Sequence, residues 1–501
     1  MLDNLLLGLS VMLTPMSLFA VFAGVTGGVV IGSLPGLTST MGVALLIPLT
    51  FSMPPEAGLA MLGGIYLAST YSGSISAILL NIPGTPAAVA TLLDGHPMSK
   101  RGESTRALAL ATFGSSIGGV LSIVALFLIA PPLAEFSLKF GAPEYFLLAV
   151  FGITVIASLS AGAMEKGLMA GAFGLLLATI GAHPVTGDLR FSFNSPVLYD
   201  GIPMVVSLIG LYSVPEVIAM ISRGQATVSE KANGKQRGAL SYLPEALSQR
   251  INILRSSVIG IIVGIIPGVG CSVGGFLSYD AAKRSSKTPE KFGKGSAEGV
   301  LASETANNAV TGGTLIPLLT LGIPGNPVTA VLLGGLMIHG LRPGAELFTL
   351  NADITYGFIM SLLVANILFV PIGLLFARYC AKVIQVPTRI LAPCILALAV
   401  IGSYSIRGSV EDILIMLFMG LVGFAMNIFA VPRAPLVLGL VLGTLAEGEL
   451  ARSLALVRGD VPAFLTQLVT RPICIVLLLL CAYALHQGIV QHRRDSKLLE
   501  N

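Results

Sequence analysis

The sequence predicts an all-α polytopic membrane protein of about ten to fourteen membrane elements. It predicts two inverted repeats, each carrying a re-entrant hairpin and a broken helix. Three observations lead there. Of 501 residues, 54% are hydrophobic and only 11% charged, whereas a soluble domain is roughly a quarter charged. Apolar segments approaching the ~20 residues that cross a bilayer recur from end to end. Two of the apolar segments are interrupted midway by Pro-Gly with the same spacing of glycines. These features exclude a soluble enzyme, a nucleic-acid binder and a secreted disulfide scaffold. Glycine, at 58 residues, fits the same class, being commoner in membrane helices than in soluble ones.

In chain order, the clear spans of the first half are Ala57–Leu80, Ala107–Leu133, Tyr145–Gly162, Gly167–Gly181 and Ile202–Ile221. Those of the second half are Ile354–Ala377, Ile390–Ile406, Ile413–Phe429, Pro435–Leu445 and Phe464–Leu485. Between the halves, the polar stretch Arg223–Arg255 reads as a loop. The start, Met-Leu-Asp-Asn, lacks a basic n-region, so no cleaved signal peptide is expected. Cys271, Cys380, Cys394, Cys474 and Cys481 are scattered through apolar sequence without a CxxC pair and read as free buried thiols.

The interrupted segments are Gly28-x3-Gly32-x2-Pro35-Gly36-x5-Gly42 and Gly260-x3-Gly264-x2-Pro267-Gly268-x5-Gly274, offset by 232 residues. Further on, Ile82-Pro83-Gly84-Thr85-Pro86 matches Ile323-Pro324-Gly325-Asn326-Pro327 at an offset of 241, and Ser158-x-Ser160 matches Ser403-x-Ser405 at 245. Three matches in one order indicate a duplication, with repeats over residues 1–240 and 250–501. Charge supplies the orientation. Residues 1–99 hold no Lys or Arg, and the first basic cluster is Lys100, Arg101 and Arg106. With the basic stretches Arg223–Arg255 and Lys283–Lys294, this cluster belongs on the cytoplasmic side. The Pro267-Gly268 hairpin then enters from the cytoplasm and the Pro35-Gly36 hairpin from outside.

Proline in a membrane helix removes a donor and frees a carbonyl, and glycine beside it permits reversal. Such backbone survives only inside protein or along a watery cavity, and breaks at matching positions of two halves point to a transporter's binding site. Candidate anion ligands in the first half are Pro35, Gly36, Thr38, Ser39 and Thr40 at the hairpin tip, and Asn81, Pro83, Gly84, Thr85 and Pro86 at the break. In the second half they are Pro267, Gly268, Gly270 and Ser272 at the tip, and Gly325, Asn326 and Pro327 at the break. Helix N-termini there would offer free N–H groups and a positive dipole end. A lone Ser or Thr usually bonds back to its own helix, and spaced glycines also serve close packing. The matched placement in both halves favours a ligand site.

A coupling cation has its own candidates in Ser303-Glu304-Thr305-Ala306-Asn307-Asn308. A carboxylate inside an apolar segment is a functional-site hypothesis by default. Glu304, Thr305, Asn307 and Asn308, with carbonyls freed around Gly322, would suit Na⁺, and a protonatable Glu304 would equally suit H⁺. The bland alternative is a Glu near the membrane surface capped by a loop. No cofactor other than this coupling ion is expected. Gly293-Lys294-Gly295-Ser296 lacks the spacing of a phosphate-binding loop. His96, His183, His339, His486 and His492 are dispersed, and no nucleophile elbow occurs.

At these motifs the sequence resembles a known family. Leu34-Pro-Gly-Leu-Thr-Ser-Thr-Met-Gly42, Ser74-Ile-Ser-Ala-Ile-Leu-Leu-Asn-Ile-Pro-Gly-Thr-Pro86 with Asp94-Gly95 and Pro97-Met98, Ile266-Pro-Gly-Val-Gly270, Ser303-Glu-Thr-Ala-Asn-Asn308 and Leu321-Gly-Ile-Pro-Gly-Asn-Pro327 are similar to signatures of the large membrane subunit of tripartite tricarboxylate transporters, the TctA family. The resemblance runs over essentially the whole chain. It implies uptake of citrate or a related di- or tricarboxylate by an ion gradient, in the bacterial inner membrane, alongside a small membrane subunit and a periplasmic solute-binding protein. It also suggests an elevator mechanism. The alternative is the permease subunit of an ATP-driven importer. An intramembrane enzyme would need a catalytic dyad at matched depth, and the sequence offers none.

Overall fold

The computed structural model describes residues 2–34, 37–158, 164–183, 186–223, 238–268, 270–383 and 388–499. Helices dominate, with one antiparallel strand pair, Gly181–Ala182 with Leu189–Arg190. The first half holds α1 (Leu2–Met12), α2 (Pro15–Ser33), α3 (Ser39–Thr50) and α4 (Pro55–Leu80). A 3-10 turn, Pro86–Ala88, leads into α5 (Val89–Lys100), followed by α6 (Ser104–Ser137), α7 (Ala142–Ser158), α8 (Met164–Ala178) and α9 (Met204–Arg223). After α10 (Leu243–Ser248) come α11 (Arg250–Ile265), α12 (Gly270–Ser285), α13 (Ala297–Leu321), α14 (Pro327–Ile338) and α15 (Ala345–Thr349). The chain ends in α16 (Ala352–Val383), α17 (Thr388–Arg407), α18 (Val410–Ile428), α19 (Arg433–Leu456), α20 (Val461–Thr470) and α21 (Pro472–Leu499).

Among the described residues, seven helices are long and apolar enough to cross a membrane, and an eighth span arises if α20 and α21 are taken together. The chain is therefore an all-α, multi-pass membrane protein. Neither α4 nor α13 is among the seven, although each exceeds a bilayer's length. Every residue from Ala57 to Ile78 and from Gly299 to Thr320 is buried. These two helices meet protein on all sides, which is why they tolerate Ser, Thr, Asn and Glu.

Three sequence expectations need correction. Phe464–Leu485 is not one straight span, because α20 and α21 meet at an angle of 85°. Arg471 sits at the bend and pairs with buried Glu144 at 2.7 Å, and Pro472 opens the next helix. The described part of the expected loop Arg223–Arg255 is mostly helical, with a 3-10 turn at Ala239–Tyr242, then α10 and the start of α11. Arg106 of α6 holds α10 there, its Nε 3.1 Å from both Glu245 carboxylate oxygens. Residues 224–237 lie outside the described residues. Cys474 and Cys481 are buried thiols as read, but Cys394 is exposed and Cys271 only half-buried; the side chain of Cys380 lies outside the described residues.

Close glycine contacts fix how the interrupted segments run. A Cβ on Gly24, Gly28 or Gly32 would strike the carbonyl of Met61, Ile65 or Ser69, so α2 and α4 lie parallel and nearly touching. α3 runs back, since Gly42 lies against Ile65 whereas Thr50 lies against Gly58. The second half repeats this. Gly260 meets Ala306 and Gly264 meets Val310, making α11 parallel to α13. α12 returns, with Gly274 against Val310 and Ser278 bonded to the Ala302 carbonyl at 3.0 Å. At the centre α4 and α13 cross antiparallel: Tyr66 bonds Thr314 at 3.0 Å, and Asn307 donates to the Thr70 carbonyl at 3.3 Å.

The helices form one large packing group and two smaller clusters. The large group contains α1–α6 and α10–α16, with α13 on α6 and α2 on α4 as its largest contacts. One cluster contains α7, α8 and α19–α21, built on the pair α8 with α19, and the other contains α9, α17 and α18, built on the pair α9 with α18; the two clusters touch each other only lightly, α9 on α19. Packing of the large group on the clusters runs mainly through α3, which lies on α9 and α17, and α14, which lies on α9 and α19.

Candidate functional site

The site is assembled where the hairpin tips meet the broken helices. Pro35 and Gly36 lie outside the described residues, between α2 and α3. Thr38 is the N-cap of α3, accepting from the Met41 N–H at 3.2 Å, and Ser39 and Thr40 are buried in the first turn. α4 stops at Asn81, whose φ of 60° is left-handed. Gly84 then approaches so closely that a Cβ would stand 2.2 Å from the Gly32 carbonyl oxygen, and its N–H donates to the Gly73 carbonyl at 3.2 Å. Thr85 is the residue before the 3-10 turn opened by Pro86, and its buried hydroxyl has no partner among the described residues. Pro83 precedes Gly84 in the same break and is half-buried.

The second half is built alike, with more of it buried. Pro267 is buried and Gly268 turns the chain at φ 83°, donating to the Gly325 carbonyl at 2.8 Å. This bond ties tip to break. Gly270, at φ 74°, opens α12, and Ser272 is half-buried in its first turn. Asn326 caps α14, accepting from Thr329 N–H at 2.9 Å ahead of Pro327, while its Nδ2 donates to the Tyr66 hydroxyl at 2.8 Å. Tyr66 thus links α4 of the first half to the break of the second. Across the halves, α3 packs on α14, and α12 packs on α5 and the 3-10 turn. All four helix starts therefore belong to one interlocked assembly.

Glu304 lies two turns into α13 and is fully buried within the protein. Ser115 of α6 donates to its Oε2 at 2.8 Å and Thr91 of α5 donates to its Oε1. Among the described residues, no Lys or Arg forms an ion pair with it. The capping task at the start of α13 falls to Ser296 and to Asp94, whose Oδ1 accepts from Gly295 N–H at 2.7 Å and Ser296 N–H at 2.8 Å. Around Glu304, the Thr305 hydroxyl, the Asn307 Oδ1 and both side-chain polar atoms of Asn308 are buried without hydrogen-bond partners among the described residues. Gly322 is not part of this cluster: it ends α13 at φ 71°, about 27 Å along the helix axis from Glu304 at 1.5 Å per residue. Sequence reasoning missed Tyr66, Thr91 and Ser115, since a hydroxyl in an apolar helix carries no signal until its partner is known. His96 and His339 make ordinary contacts, to the Ile78 carbonyl at 3.1 Å and the Thr50 hydroxyl at 3.3 Å.

Two surface cavities lie away from the tips. One, of about 310 Å³, is lined by Tyr199, Asp200, Thr444 and Glu447, and one of about 600 Å³ by Phe140, Tyr145 and Arg452.

Comparison with known proteins shows the family. Residues 18–438 match the model of the tripartite tricarboxylate transporter TctA family. An uncharacterized 52.8 kDa protein from the TAR-I ttuC' 3' region of Agrobacterium vitis is 38% identical, over 100% of this chain and 99% of that protein. A second uncharacterized protein of the same organism, from the TAR-II ttuC' 3' region, is 36% identical over 48% of this chain and 100% of its own length. The chain belongs to the TctA family, and is a tricarboxylate transporter subunit.

Proposed function

We propose that this chain is the transporting subunit for citrate or a related di- or tricarboxylate, driving uptake across the bacterial inner membrane with an ion gradient. It works with a small membrane subunit and a periplasmic solute-binding protein. The observation that carries the reading is the paired construction of hairpin tip against broken helix, Gly84 on Gly32 and Gly268 on Gly325. Each pairing gathers helix N-termini, whose N–H groups and positive dipole ends suit an anion. The substrate carboxylates are held by these N–H groups and by Thr38, Ser39, Thr40, Thr85 and Ser272. The ATP-driven alternative draws no support from the family match.

Residues 1–240 and 250–501 are read as inverted repeats with re-entrant hairpins. The antiparallel crossing of α4 and α13 supports this, as does the exchange symmetry of the pairs α8 with α19 and α18 with α9. The group α1–α6 with α10–α16 moves as one body against α7–α9 with α17–α21, which is elevator motion. Glu304 with Asn307, Asn308 and Thr305 forms the coupling centre, for Na⁺ or H⁺. A buried polar atom left unpaired costs about 1–3 kcal/mol, so a cluster of them beside a carboxylate without a counter-ion suits a cation. The test is uptake in proteoliposomes with both partner subunits added, scanning carboxylates against Na⁺ and H⁺ gradients. Uptake that needs ATP and ignores both gradients would overturn the proposal.

A further inference from the structure

The first three residues of the same five-residue break have different surroundings in the two halves. Gly322 to Asn326 is buried. Ile323 packs in one cluster with Leu147 and Leu148 of α7 and Phe464 of α20, and a Cβ on Gly152 of α7 would stand 3.5 Å from its side chain. In the first half Asn81 is exposed and Ile82 and Pro83 are only half-buried, while Gly84 and Thr85 are buried like their counterparts. The hairpins differ in the same sense. α3 lies on α9 and α17, whereas α12 packs chiefly within its own group, on α5, α11, α13 and the 3-10 turn. Val273, Phe276 and Leu277 of α12 are left exposed, Leu277 at 50%. Duplicated halves with one face covered and the equivalent face bare are expected of a protein with two arrangements, of which this is one.

We propose that the Asn81–Pro86 break together with α12 forms a second docking face for the α7–α9 and α17–α21 clusters, occupied in the opposite transport state. The occupant follows from exchanging the halves. Ile82 takes the place of Ile323. Val155-Ile156-Ala157-Ser158 aligns with Val400-Ile401-Gly402-Ser403, so Gly152 corresponds to Ala397. Ala397 and Leu398 of α17 are exposed, as is much of that helix, so no other described part of the protein occupies the position Ile82 would take. The bare side lies where α5 ends at Lys100 and α12 at Lys283 and Arg284, the cytoplasmic side by charge. The structure therefore represents the inward-open state, and docking of Ile82 on α17 closes the cytoplasmic path. This rests on the transport reading given above.

The test uses the full chain, reconstituted with its partner subunits, with the five native cysteines replaced. Two cysteine pairs are introduced, Gly152→Cys with Ile323→Cys and Ile82→Cys with Ala397→Cys. Both should cross-link, because the α-carbons of each pair come within the few ångströms a disulfide spans in one of the two states. Each cross-link should lower uptake at least about tenfold, with recovery on reduction. Single variants Ile82→Cys and Ile323→Cys guard against misfolded pairs. Their maleimide reactivities should change in opposite directions when substrate and the ion gradient are supplied. Failure of the 82–397 pair to cross-link while the parent transports, or an unchanged Ile82→Cys reactivity, would overturn the proposal and leave the transport reading intact. Absence of carboxylate uptake by the parent itself would overturn the transport reading, and this inference with it.

Discussion

Glu304 is a buried carboxylate held by two hydroxyls, from Thr91 and Ser115, and placed beside unpartnered amides. Replacing it by Gln keeps the shape and removes the charge. Ion-driven accumulation should be lost while exchange of preloaded substrate persists; accumulation at the normal level in Glu304→Gln would shift the coupling role to Asn307 and Asn308. Glu304 was legible in the sequence because a charge in an apolar run is conspicuous. Its partners were not, since Thr91 and Ser115 lie 213 and 189 residues away, and the link between Asn326 and Tyr66 spans 260. Only tertiary packing brings such hydroxyls together. Gly84 tests packing at the same scale. A Cβ there would stand 2.2 Å from the Gly32 carbonyl oxygen, whereas one on Gly27 would meet nothing within 4 Å. Gly84→Ala should therefore cost about 1–3 kcal/mol of stability, read as a lowered melting temperature in detergent, while Gly27→Ala should leave it unchanged.

Among the elements, the hairpins carry most of what the sequence could disclose. Pro-Gly interruptions and their shared glycine spacing located both turns, because a reversal inside an apolar segment needs those residue types. The bend between α20 and α21 falls at Pro472, which cannot continue α20; the partner held there, Glu144 bonded to Arg471, lies on a helix distant in sequence and was not legible. α10 was not legible either, being short, polar and held by Arg106. The second tip gives a sharp prediction. Gly268 sits at φ 83°, a conformation that β-branched side chains strongly disfavour. Gly268→Val should lose carboxylate uptake yet still insert and fold around the intact α11 and α13, as judged by membrane yield and a monodisperse detergent profile. Gly36→Val, at the corresponding motif position, should behave likewise. Uptake retained in both variants would make the tips purely structural.

For the molecule as a whole, the decisive quantity is which side of the bilayer each end of α4 and α13 occupies. The two helices cross antiparallel, with Tyr66 on Thr314 and Asn307 on Thr70. Glu56 in the first turn of α4 and Glu298 in the first turn of α13 consequently lie at opposite ends of the crossing. The stretch Lys283–Lys294, which leads into α13, carries five basic residues against one acidic, and residues 1–99 carry no Lys or Arg. The positive-inside rule puts the start of α13 in the cytoplasm, and the crossing then puts the start of α4 outside. A cysteine introduced beside Lys287 should react with an impermeant maleimide only in inside-out vesicles, and one beside Glu56 only in right-side-out vesicles. A cysteine beside Lys235, in the segment joining the halves, should follow Lys287. Labelling of positions 56 and 287 from the same side would be incompatible with the antiparallel crossing across a bilayer. It would remove the inverted relation of the halves, and with it the assignment of one hairpin to each face.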